Sequence, residues 1–113
     1  MIIGQTLMGS SSNYFSPWFP RQGDAAVFSA QIIAISGTST LTVVVETKNT
    51  TETDASASQP ANGTFSGTSA SVITSGSTAV SGLDELVRFK YTVNNAASAF
   101  CHFRVLPPAW QRN

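Results

Sequence analysis

Leu86-Val87-Arg88-Phe89-Lys90-Tyr91-Thr92-Val93 alternates apolar and polar side chains from Val87 to its end. A period of two belongs to a β-strand with one buried face and one wet face. Val87, Phe89, Tyr91 and Val93 are therefore predicted to point inward, and Arg88, Lys90 and Thr92 outward. On that register Phe89→Ala should cost about 3–5 kcal/mol, and Arg88→Ala much less.

Downstream, Phe100-Cys101-His102-Phe103-Arg104-Val105-Leu106 repeats the pattern, with Cys101, Phe103 and Val105 inside and His102 and Arg104 outside. Pro107-Pro108 ends that strand, because neither residue can donate a ladder hydrogen bond. Upstream, Thr40-Leu41-Thr42-Val43-Val44-Val45-Glu46-Thr47-Lys48 places Leu41, Val43 and Val45 on one face and Thr42, Glu46 and Lys48 on the other. Residues 25–36 are apolar on both faces for much of their length, as a strand covered on both sides would be. Gly37-Thr38-Ser39 between these two segments predicts a β-hairpin.

Residues 49–63, polar and holding Pro60 and Asn62-Gly63, predict an exposed loop. Ser, Thr, Gly and β-branched residues dominate 64–82 and disfavour a helix, so short strands are expected near 65–68, 71–75 and 78–80. Six to eight short antiparallel strands without a helix make an all-β, single-domain β-sandwich or jelly-roll-like barrel.

With 113 residues, one core is expected. Charged residues are only 11% of the chain, against about 25% in a typical soluble domain. Six basic and six acidic residues cancel and are scattered, so no nucleic-acid partner is expected. No apolar stretch approaches the roughly 18 residues of a membrane span, and the first residues have no signal-peptide pattern. A protein made in the cytoplasm without a membrane partner is the simplest reading. Cys101 is the only cysteine, which excludes an internal disulfide.

No residue set suggests catalysis, a metal or another cofactor. His102 is the only histidine, on the outer face of its strand, and reads as a surface side chain. Asp84-Glu85 read as a charged turn, not as a glycosidase carboxylate pair. Cys101 reads as a small buried hydrophobe. The aromatic run Tyr14-Phe15-Ser16-Pro17-Trp18-Phe19-Pro20 has three readings: an interface anchor, a sugar-stacking surface, or a cover for the core. Tyr14, Phe15, Trp18, Phe19 and Arg21 are its candidate contact residues. Trp110 is a similar anchor at the other end, with closure of the base of the sandwich as its plain role.

The run from Tyr14 to Asp24, the segment Gly82-Leu83-Asp84-Glu85-Leu86-Val87-Arg88-Phe89-Lys90-Tyr91 and the ending His102-Phe103-Arg104-Val105-Leu106-Pro107-Pro108-Ala109-Trp110 together resemble small virion proteins of tailed bacteriophages. The capsid decoration, or cement, proteins are closest in size and style. That resemblance implies a β-sandwich or β-tulip that binds the outside of an expanded capsid and braces neighbouring major capsid subunits. It implies the major capsid protein as partner, a homo-oligomer with a trimer favoured, and a place on the virion surface after synthesis in the host cytoplasm. It carries no catalytic residue. Residues 1–24 are then an N-terminal arm or edge segment and 25–113 the core. The alternatives are a tail, baseplate or head-fibre component, or a carbohydrate-binding module using Tyr14, Trp18 and Trp110.

Overall fold

The structure, a computed structural model, describes residues 3–8, 13–36, 39–76, 79–94 and 100–111, with residues 3–8, 13 and 94 as backbone only. These residues form strands and one single-turn 3-10 helix, Asp54–Ser56. Strands β1 (Ile3–Met8), β5 (Ser29–Ile35), β8 (Val72–Thr74) and β10 (Phe100–Val105) make a first sheet in the order β1-β10-β5-β8. Strands β2 (Asn13–Phe15), β3 (Phe19–Pro20), β6 (Thr40–Lys48), β7 (Thr64–Gly67) and β9 (Leu86–Asn94) make a second, ordered β2-β9-β6-β7, with β3 also paired to β9. A ribbon of β4 (Ala25–Val27) and β11 (Ala109–Gln111) closes one end. Every pairing between these strands is antiparallel. Only six of the strands have four or more residues; short ones account for the excess over the number expected.

The two sheets face each other across one core. Leu41, Val43, Val45, Val87, Phe89, Tyr91 and Val93 reach into it from the second sheet, and Ala30, Ile32, Cys101, Phe103 and Val105 from the first. The predicted inward sets of β6, β9 and β10 are all buried. A chain of aromatic contacts runs through the core: Trp110 to Phe28 at 6.1 Å, Phe28 to Phe89 at 5.6 Å, Phe89 to Tyr91 at 6.2 Å and Tyr91 to Phe103 at 5.0 Å. The last contact crosses from one sheet to the other. Edge-on, tilted and offset-stacked pairs of this kind contribute about 0.5–1.5 kcal/mol each beyond area burial. Tyr91 buries its hydroxyl without a hydrogen-bond partner, and burial raises its pKa.

The predicted hairpin between 25–36 and 40–48 is not formed. β5 has β10 and β8 on its two edges, and β6 has β9 and β7, so the two strands belong to opposite sheets. Both segments carry a strongly apolar face, and stacking them across the core buries those faces against each other, whereas side-by-side pairing would not. The turn before β6 is held by the Ser39 amide, which donates to the Ser36 carbonyl at 3.0 Å. Residues 25–36 are also two strands and not one. Phe28 interrupts them, its amide donating to Ser75 Oγ at 3.0 Å and its carbonyl accepting from the Ser75 amide at 2.8 Å.

Nor is the segment covered on both sides. Phe103 pairs with Ile32 but His102 with Ala34, so Ile33 is the extra residue of a β-bulge. The bulge leaves Ile33 and Ala34 both exposed and returns Ile35 to pack against the core.

Candidate functional site

The outer face of the second sheet carries a patch of rings and charges. Arg88 on β9 lies directly opposite Glu46 on β6, and its Nε donates to Glu46 Oε1 at 2.8 Å. Their side chains are only 11% and 10% exposed. Gln59 Nε2 donates to the second carboxylate oxygen at 3.4 Å. The Arg88 guanidinium lies 4.1 Å from the centre of the Phe15 ring and 4.4 Å from that of Trp18. β2 brings Phe15 there by pairing with β9 at Lys90. Phe15 and Trp18, three residues apart, thus meet one guanidinium.

The loop after β6 completes the patch. Asp54 Oδ1 accepts from Lys48 Nζ at 2.8 Å and from Trp18 Nε1 at 3.0 Å, while its other oxygen is 3.6 Å from Arg88 Nη1. Lys48 Nζ also donates to the Glu52 carbonyl at 3.1 Å and lies 4.9 Å from the centre of the Trp18 ring. The hydrogen bond from Lys48, with the charges of Lys48 and Arg88 and the Trp18 bond, holds the Asp54 carboxyl below its ordinary range. Two cations and two carboxylates thus neutralise one another, and the patch offers ordered aromatic surface among paired charges. Phe15 is 48% exposed. Such a surface is suited to contact, since its side chains are already ordered before a partner arrives.

Of the six candidate contact residues, only Phe15 and Trp18 belong to this patch. Tyr14, Phe19 and Trp110 are half-buried and pack on the core, with Phe19 5.5 Å from Phe89 and 6.5 Å from Trp110. Arg21 donates from Nη1 to the Leu83 carbonyl at 2.9 Å, and its amide donates to the Glu85 carbonyl at 3.0 Å. Within the aromatic run, Tyr14 and Phe19 therefore cover the core, while Phe15 and Trp18 lie on the outer face. A separate cleft of about 150 Å³ lies between Phe19, Gln22, Pro107, Pro108 and Trp110.

Arg88, Glu46, Lys48 and Asp54 were not singled out by sequence reasoning. The signal was present, because Glu46, Lys48 and Arg88 alternate onto the outer faces of two strong strands. Only the β6–β9 register, which sets Glu46 against Arg88, turns them into a cluster. The other weighed residues lie apart from it. Glu85 Oε1 accepts from the Thr50 amide at 3.1 Å and hydroxyl at 3.2 Å, and the Asp84 amide donates to Thr47 Oγ1 at 2.7 Å, so this pair organises a turn. His102 is exposed on the opposite sheet. Cys101 is buried, and burial pushes its thiol up to about 11. Among the described residues no three His, Cys, Asp or Glu side chains gather as a metal site.

Comparison with protein-family models, curated proteins and solved structures returned no match, so the site is read from its own geometry.

Proposed function

We propose that the chain is a structural virion protein that binds the outer surface of a phage capsid, bracing its major capsid subunits, and that the Phe15, Trp18 and Arg88 patch is one of its contacts. The observation that carries this reading is the stacking of one guanidinium over two outward rings, held in place by Glu46 and Asp54. Aromatic residues and arginine dominate interface hot spots, and side chains fixed in advance lose little entropy on binding. The sequence resemblance to decoration proteins supplies the kind of partner. The low overall charge is compatible with it, since many copies can crowd on one shell without accumulating repulsion.

Deleting residues 1–21 would remove β1, β2, β3 and the Phe19 ring together, so point substitutions are the cleaner probe. Particles of the cognate phage lacking this chain are mixed with purified wild type or Phe15→Ala and sedimented. Wild type should co-sediment to saturation. Phe15→Ala, folded by circular dichroism, should bind at least tenfold more weakly. Wild type that never associates with the particles would overturn the capsid reading. Wild-type occupancy by folded Phe15→Ala would remove the patch from the contact.

A further inference from the structure

The first sheet has an outer face unlike the rest of the molecule. Of the 22 residues in its four strands only Arg104 carries a fixed charge. Its exposed side chains include Ile33 at 46%, Val72 at 59% and Phe100 at 37%. Val72 stands opposite Gln31, two residues from Ile33 on the same strand, and the bulge adds Ala34 to that side. The bulge sits where β5 pairs with β10, away from the sheet edges, and turns two successive apolar residues outward where a regular strand would turn one. The strand has the pattern of an element covered on both faces, yet the described residues cover only one.

The polar groups on the face indicate what covers the other. Arg104 donates from Nε to Gln31 Oε1 at 2.8 Å and has no carboxylate partner among the described residues. His102 flanks it on β10, and no strand of the sheet contains an acid. A second copy of the same face would present Arg104 with no carboxylate either. Area argues the same way. Four strands about 4.8 Å apart and roughly 20 Å long cover on the order of 400 Å². That is about half of the roughly 800 Å² that each partner contributes to a stable complex, so the face is too small to hold a dimer alone.

We infer that the outer face of the β1-β10-β5-β8 sheet, centred on Ile33, Val72 and Arg104, docks on an apolar surface of a shell subunit that supplies a carboxylate to Arg104. The inference rests on the capsid reading and adds to it a second contact on the side of the sandwich opposite Phe15 and Trp18. A protein that braces two subunits needs two such surfaces, and each can be small because both hold the same molecule.

The test uses the same undecorated particles with three variants: Ile33→Glu combined with Val72→Glu, Arg104→Glu, and Arg104→Lys. All three alter exposed side chains, so their melting curves should match wild type. The double variant should lose at least tenfold in occupancy. Arg104→Glu should weaken binding more strongly at low salt than at high salt, and Arg104→Lys should restore most of it. A folded double variant that binds like wild type overturns the inference while leaving the capsid reading intact. Failure of wild type to bind overturns both. A stable wild-type dimer in sedimentation velocity that the double variant dissolves would identify the occupant as a second copy and overturn the assignment to the shell.

Discussion

Arg88→Ala, which the strand alternation alone predicts to be mild, should instead be nearly as damaging as a core truncation, because the outward side chain is bonded to Glu46 and stacked on two rings. The substitution removes two ring contacts, at 4.1 and 4.4 Å, each contributing about 0.5–1 kcal/mol at a partly exposed site. It also removes the 2.8 Å bond to Glu46 and leaves that carboxylate with Gln59 at 3.4 Å. Breaking a fully buried ion pair costs about 3–5 kcal/mol; with a tenth of each side chain exposed, about half of that is the appropriate share. The total is about 3 kcal/mol, close to the lower end of the roughly 3–5 kcal/mol for Phe89→Ala. For a domain of this size it would lower the melting temperature by roughly 10–20 °C. Urea unfolding of Arg88→Ala, Glu46→Ala and the double variant separates the contributions. In the Glu46→Ala background the arginine should keep its ring contacts and its 3.6 Å approach to Asp54 but lose the Glu46 bond, leaving a coupling energy of about 1.5 kcal/mol. Arg88→Ala within about 0.5 kcal/mol of wild type would refute the reasoning, because the stack and the ion pair would then contribute nothing that solvent does not replace.

Tyr91→Phe should be at least as stable as wild type, since it deletes a buried hydroxyl that has no partner; a loss above about 1 kcal/mol in urea unfolding would mean that the hydroxyl is bonded, with Ser16 beside it as the partner. Cys101, raised to about 11 by burial, should react with a disulfide reagent at neutral pH only as fast as the protein opens, and labelling of the native state at the rate of a free thiol would contradict that. The lowered pKa of Asp54 means that its hold on Lys48 and Trp18 is complete above the ordinary value of 3.8 and is lost as pH falls through the lower folded value. Trp18 emission should therefore change below that pH in wild type and lose the change in Asp54→Asn, while an unaltered acid transition in the variant would assign it to another group.

What the sequence made legible was every strand whose two faces differ in polarity. In β9 and β10 the alternation assigned each described side chain to its face, because a one-residue slip would bury Arg88 or Arg104 and expose Phe89 or Phe103. Composition likewise placed the exposed loop between β6 and β7 and the strands β7 and β8 after it, where Ser, Thr and Gly allow extended backbone but supply little to bury; of the short strand expected at 78–80, the described residues show only a single bridge from Val80 to Ala26. Pairing was not legible. The pattern of a strand specifies which side faces the core but not which strand lies on its edge. A short connection of Gly, Thr and Ser fits a step between two packed sheets as well as a tight hairpin.

The aromatic segment and β5 show why the site was harder to read than the fold. Tyr14 and Phe15 are neighbours in sequence with similar chemistry, yet one packs on the core and the other lies over Arg88; only the register against β9 separates them. In β5, Gln-Ile-Ile-Ala-Ile announces apolar neighbours on both sides without saying whether the second neighbour is in the same chain. The bulge at Ile33 favours burial of the larger Ile35 over that of Ala34. Here the extra residue turns Ala34 outward beside Ile33 and restores Ile35 to the core. Internal packing is thereby completed by Ile32 and Ile35, and Ile33 and Ala34 remain on the outer face, where the inferred second contact would lie.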